Sequence, residues 1–144
     1  MSVEIRRAGG RAEMDALLDL RHRVFCLEQG VPKREEIDGR DGDAVHLVAL
    51  RPADGRVLGT CRLLFVDRTV QLSRLAVEPE ERRRGIATAL LHAADREAQA
   101  AHAKRIVLHA QTYAEGLYAA DGYEPRGRTF VEAGIEHIAM EKRL

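Results

Sequence analysis

The sequence predicts an α/β fold of the mixed, α+β kind. Three observations predict it: strand-like and helix-like patterns alternate through all 144 residues, three successive strand runs form a meander, and the third of them passes into a helix through a glycine-containing turn. No repeat, low-complexity stretch or Pro/Ser-rich linker divides the chain, so residues 1–144 are expected to form a single domain of ordinary size.

The elements follow in order. Val3 to Arg6 reads as a short strand, and Met14, Leu17, Leu18, Arg21, Val24 and Phe25 then recur at helical spacing, giving a first helix from about Ala12 to Cys26. Gly30, Pro32 and the charged run Lys33 to Asp43 offer no apolar face and read as a long loop. Val45 to Leu50 is a strand, Ala53 to Arg56 a turn, Val57 to Phe65 the returning strand and Thr69 to Val77 the third. Pro79 cannot donate to a ladder, and beyond it Ile86, Leu90, Ala93, Ala94 and Glu97 share one helical face. Arg105 to Ala110 is a short apolar strand, expected to be buried beside that helix, with His109 packed within it. Ala114 to Ala120 is a short helix closed by Asp121-Gly122. Strands near Thr129 to Glu132 and Ile135 to Lys142, joined by a turn at Gly134, end the chain.

Composition excludes several functions. Lys plus Arg and Asp plus Glu balance at 23 each, so no global positive field exists to hold a nucleic acid or an anionic membrane. No apolar run approaches the ~20 residues that span a bilayer, and Met-Ser-Val-Glu-Ile-Arg-Arg lacks the core of a secretion signal, so a cytoplasmic protein is expected. Cys26 and Cys61 lack metal-ligand spacing and read as reduced structural thiols, and no metal is expected.

Against that neutral background, Arg82-Arg83-Arg84-Gly85-Ile86-Ala87 at the start of a helix stands out. A helix N-terminus exposes unpaired N–H groups and partial positive charge, small residues let a phosphate approach, and three arginines add local charge. A pyrophosphate site is one reading; a solvated helix cap with a tight turn at Gly85 is the other. Neither Gly-x-x-x-x-Gly-Lys-Ser/Thr nor Gly-x-Gly-x-x-Gly occurs, which argues against a nucleotide-binding protein.

Leu75-Ala76-Val77-Glu78-Pro79 followed by Arg82 to Ala87 resembles motif A of the GNAT acetyltransferases, Gln/Arg-x-x-Gly-x-Gly/Ala, and Leu117-Tyr118-Ala119-Ala120-Asp121-Gly122-Tyr123 resembles their motif B. Arg23-Val24-Phe25, Glu28-Gln29-Gly30, Asp38, Asp41, His46, Phe130-Val131-Glu132, Gly134-Ile135 and His137 resemble the ElaA-like branch. The resemblance implies the GNAT acyl-CoA N-acyltransferase fold and transfer of an acetyl group from acetyl-CoA, as cosubstrate, to an amine of a small molecule or peptide.

Carried over by position, the resemblance gives Leu75, Ala76 and Val77 the pantetheine arm and the thioester oxygen. It gives Arg82, Arg83, Arg84, Gly85, Ile86, Ala87 and Thr88 the pyrophosphate, Gln111 a further cofactor contact, and Tyr118 the role of general acid to the departing thiolate. Glu28, Glu36, His46, Glu132 and His137 are the candidates for base or substrate contact, since Glu and His can be tuned to accept protons near neutrality. The acidic loop Glu35 to Asp43 reads either as a solvated loop or as an attractor for a cationic amine. The competing function is a noncatalytic acyl-CoA-binding or sensor domain, and family analogy raises a homodimer.

Overall fold

The computed structural model describes residues 2–144. Its seven strands form one mixed sheet in the order β1-β2-β3-β4-β5-β7-β6. They span Glu4–Arg7 (β1), Val45–Leu50 (β2), Val57–Val66 (β3), Thr69–Val77 (β4), Arg105–Gln111 (β5), Glu124–Glu132 (β6) and Ile135–Arg143 (β7). The helices are α1 (Gly10–Arg21), α2 (Lys33–Glu36), α3 (Ile86–Ala100) and α4 (Glu115–Ala120). β4 and β5 are the parallel pair, and every other pairing is antiparallel. The expected meander is β2-β3-β4, and the crossover from β4 through α3 to β5 is the expected β-α-β unit.

Two apolar clusters cover the two faces of the sheet. Leu90, Leu91, Ala94 and Ala98 of α3 pack with Leu58, Leu63, Leu72, Ile106 and Met140 on one side. Leu17, Leu20 and Val24 pack with Val48, Leu50, Val57 and Ala76 on the other. Gly59 explains how closely α3 approaches: a Cβ there would lie 2.9 Å from Ile86 Cγ2 and 3.2 Å from Leu90 Cδ1. That contact sets the height of the α3 N-terminus above β3.

Three sequence expectations change. The first helix is α-helical only to Arg21 and continues as a π-helix over His22–Glu28, with Gln29 N–H donating to the Val24 carbonyl at 3.1 Å. The charged loop holds α2 and a 3₁₀ turn at Asp41–Asp43, and it is tied down by buried ion pairs. β6 begins at Glu124, earlier than Thr129, with a bulge between Arg126 and Phe130.

Candidate acyl-CoA site

The site begins as a fault in the sheet. β3 and β4 pair Thr60↔Ala76 and then Arg62↔Ser73, so Arg74 and Leu75 together oppose Cys61 in a bulge. Arg74 takes a left-handed conformation there, φ 57°. On its other edge β4 pairs with β5 only from Thr69↔Arg105 to Gln71↔Val107, whereas β5 continues to Gln111 along β7. From Leu72 onward that edge of β4, including Leu75, Ala76 and Val77, has no strand partner among the described residues. The opening leads into a cavity of about 880 Å³, within the range of small-molecule sites.

At one end lies the α3 N-terminus. Arg83 and Gly85 both have positive φ, 63° and 83°, and this alternation of hands turns successive N–H groups toward one point. The first N–H of the region to find a backbone partner is that of Ala89, on the Gly85 carbonyl at 3.0 Å, which leaves those of Arg83, Arg84, Gly85, Ile86, Ala87 and Thr88 unpartnered among the described residues. Gly85 is required for its backbone conformation, because a Cβ there would meet no protein atom within 4 Å.

The three arginines divide. Arg82 donates from Nε to the Val77 carbonyl and grips Glu28 with both terminal nitrogens at 2.7 Å. Arg84 pairs with Glu81 and lies off the cavity wall, while Arg83 lines it without a carboxylate partner among the described residues. Gly85, Ile86, Ala87 and Thr88 also line it.

Tyr118, on α4, forms part of the wall and is buried, its ring edge-on to Tyr123 at 6.0 Å. Burial pushes its phenol well above the usual tyrosine range, so it holds its proton at neutral pH. Gln111, at the end of β5, donates from Nε2 to Gln29 Oε1 at 2.8 Å, which closes the cavity against the chain following the π-helix.

The base candidates fare differently. Glu28 is held below the usual glutamate range by its hydrogen bonds from Arg82 and does not line the cavity. Nor does His46, which is buried with Nε2 3.0 Å from the Asp41 carbonyl. Glu36 is only 2% exposed, between Arg21 at 2.6 Å and Arg74 at 3.2 Å. Glu132 and His137 line the wall at the β6–β7 turn, where Ala133 and Gly134 both take positive φ. His109 was expected to be packed inside a buried strand; it is exposed on the cavity side of β5, 3.1 Å from Glu132.

The acidic loop is largely spoken for. Arg62 binds Asp38 through both terminal nitrogens at 2.8 Å and Asp41 at 3.1 Å; Arg21 binds Asp41 at 2.8 Å; Arg74 donates to the Glu36 carbonyl at 3.0 Å. Three guanidinium groups thus neutralise Glu36, Asp38 and Asp41, joining α1, α2, β3 and the β4 bulge. No local pattern announces this network, since each partner lies in a distant element.

Residues 21–144 match the model of the acetyltransferase (GNAT) domain. The chain belongs to the GNAT family. An acyl-CoA N-acyltransferase from Pseudomonas aeruginosa shares its structure with a TM-score of 0.85 at 30% identity, over 98% of this chain and 99% of the other. Escherichia coli ElaA superposes with a TM-score of 0.86 at 25% identity, covering 98% and 99%. YjcF of Bacillus subtilis, described as an uncharacterized N-acetyltransferase, is 33% identical over 85% of this chain and 87% of its own. The fold of this GNAT chain, and its kinship with ElaA, therefore agree with what the motifs implied.

Proposed function

We propose that this GNAT chain transfers an acetyl group from acetyl-CoA to the amine of a small molecule or peptide by direct attack on the thioester. The observation that carries the reading is one cavity with three matched parts: an unpaired strand edge, a cluster of unpartnered N–H groups, and a buried phenol. A noncatalytic acyl-CoA sensor needs the first two and has no use for the third.

The fit to coenzyme A is chemical. Pantetheine carries amides that an unpaired β edge can bond, and its pyrophosphate suits the N–H groups of Arg83 to Thr88, with Arg83 adding a free cation. The backbone at Leu75 to Val77 would hold the thioester and oppose the negative charge that develops on its oxygen. Tyr118 would donate its proton to the sulfur as the carbon–sulfur bond breaks, and its burial keeps that proton available. Arg82, gripped by Glu28, would position the segment that follows β4 without reaching a phosphate.

Tyr118→Phe tests the reading. With the chain incubated with acetyl-CoA and a panel of primary amines, turnover is expected to fall about 100-fold or more, as removal of a general acid does. The affinity for coenzyme A by calorimetry should stay within about threefold, a small fraction of the binding energy. Unchanged turnover would rule out the acid role, and absence of acetylated product from the unmodified chain would favour the sensor.

A further inference from the structure

One pair on the cavity wall is used by neither the cofactor segment nor Tyr118. Along β5, Ile106, Leu108 and Ala110 are buried, while the alternate residues Val107, His109 and Gln111 face the other way. His109 lies two residues beyond Val107, the last β5 residue paired with β4, so it stands at the lip of the opening. Its Nδ1 is 3.1 Å from Glu132 Oε2. A carboxylate only accepts, so Nδ1 carries the proton and the neutral ring presents its lone pair at Nε2. The Phe130 ring, edge-on at 5.0 Å, restricts the plane of the imidazole. The tight turn through Ala133 and Gly134 holds Glu132 in place.

We propose that His109 is the base that deprotonates the acceptor ammonium, with Glu132 as its positioning residue. The assignment rests on the acyl-transfer reading above. His109 Nε2 takes one proton from R–NH₃⁺ and later releases it to solvent. The amine lone pair then forms the nitrogen–carbon bond to the thioester carbonyl. As that intermediate collapses, the carbon–sulfur bond breaks and the thiolate takes the proton of Tyr118; the remaining surplus proton on nitrogen returns through solvent to the Tyr118 phenolate. One proton is released overall, and the products are the amide and the free thiol.

The other candidates are committed elsewhere. Glu36 lies between two guanidinium groups, Glu28 is bound by Arg82, and His46 is off the wall. His137 lines the wall from β7, one strand farther from the opening, stacked on Phe130 and donating Nδ1–H to the Ile135 carbonyl at 2.7 Å. The charged groups lining the cavity are Arg62 and Arg74, neutralised by Asp38 and Glu36, Arg34, Glu35 and Arg40 on the segment around α2, and Glu81, Arg82 and Arg83 ahead of α3. Beside them, Glu136 of β7 accepts from the Thr112 hydroxyl.

The test uses the full chain, acetyl-CoA and a panel of spermidine, L-lysine, glycinamide and a lysine-containing peptide, with release of free thiol followed from acid to alkaline pH. For an amine that turns over, His109→Asn should lower kcat/KM about 100-fold, in the range of a lost general base, and remove the limb that falls toward acid pH. Coenzyme A affinity should not change. Glu132→Gln should retain the limb and lower kcat with KM and coenzyme A affinity little changed, because the amide no longer fixes the proton on Nδ1; a purely structural residue would not lower kcat alone. His137→Gln should keep it. An unaltered profile in His109→Asn, or loss of the limb in His137→Gln alone, overturns the assignment while leaving acyl transfer standing. Failure of the unmodified chain to release thiol with every amine overturns both.

Discussion

Replacing Glu36 by glutamine probes the buried network with almost no change of shape. The carboxylate accepts from Arg21 at 2.6 Å and from Arg74 at 3.2 Å, and Arg21 itself is fully buried. Arg21, Arg62 and Arg74 balance Glu36, Asp38 and Asp41, so the substitution leaves one uncompensated positive charge inside. Removing one partner of a buried pair costs ~3–5 kcal/mol. Here Arg21 keeps Asp41 at 2.8 Å, and the new amide oxygen still accepts one bond, so a loss at or just below the bottom of that range, about 2–3 kcal/mol, is expected. Against a total of roughly 5–15 kcal/mol this is a large fraction, and it should lower the urea midpoint at pH 7 with an unchanged slope. A loss under about 0.5 kcal/mol, the size of an ordinary surface change, would refute the view that this network holds the bulge.

Further outcomes follow from neighbouring features. Gly59→Ala places a methyl 2.9 Å from Ile86 Cγ2, so α3 must shift; unfolding should show a loss of about 1–3 kcal/mol, with weaker coenzyme A binding by calorimetry. Gly85→Ala meets no atom but keeps φ at 83°, and should cost about 1–2 kcal/mol by denaturant unfolding from backbone strain alone. Hydrogen bonds from Arg62 hold Asp38 well below the usual carboxylate range, and in Asp41 the upward push of burial, the largest single influence, is outweighed by the hydrogen bonds and charges of Arg21 and Arg62 together, so its carboxyl is lowered as well. Both folded values lie below the unfolded ones, so their contribution is present above about pH 4 and is lost as pH falls further; urea midpoints measured from pH 7 to 3 should drop below that point, and less steeply in Asp38→Asn.

What could be read from the sequence was whatever is local. Alternation and helical spacing located β2 to β5 and α3, and Gly85 marked the left-handed turn because few other residues adopt it. The bulge has no local signature because Arg74, not glycine, takes its positive φ, and the reason is tertiary: the guanidinium is anchored on the Glu36 carbonyl and carboxylate. The run Lys33 to Asp43 looks solvated because nothing nearby in sequence announces Arg21, Arg62 or Arg74 as partners. His109 differs from its expected place for a simpler reason, since an apolar run suggests burial on both faces. The alternation of Ile106, Leu108 and Ala110 against Val107, His109 and Gln111 was already there to find.

The bulge and the network explain each other. A strand edge left unpaired in the middle of a sheet exposes backbone groups that would ordinarily be satisfied by a neighbour. β4 parts from β5 beyond Gln71, yet β5 does not fray, because β7 pairs it from Arg105 through Gln111. On the other edge, Arg62 beside the bulge on β3 and Arg74 within it on β4 are both clamped to the segment between Glu36 and Asp41. The opening is therefore held from both sides before any ligand arrives. Holding it open lowers the cost of binding, since little of the ligand's binding energy is spent on separating strands. The same clamps consume the acids of the loop, so charge left for an acceptor must come from elsewhere on the wall. There the His109–Glu132 pair, at the lip of the opening, is free to act.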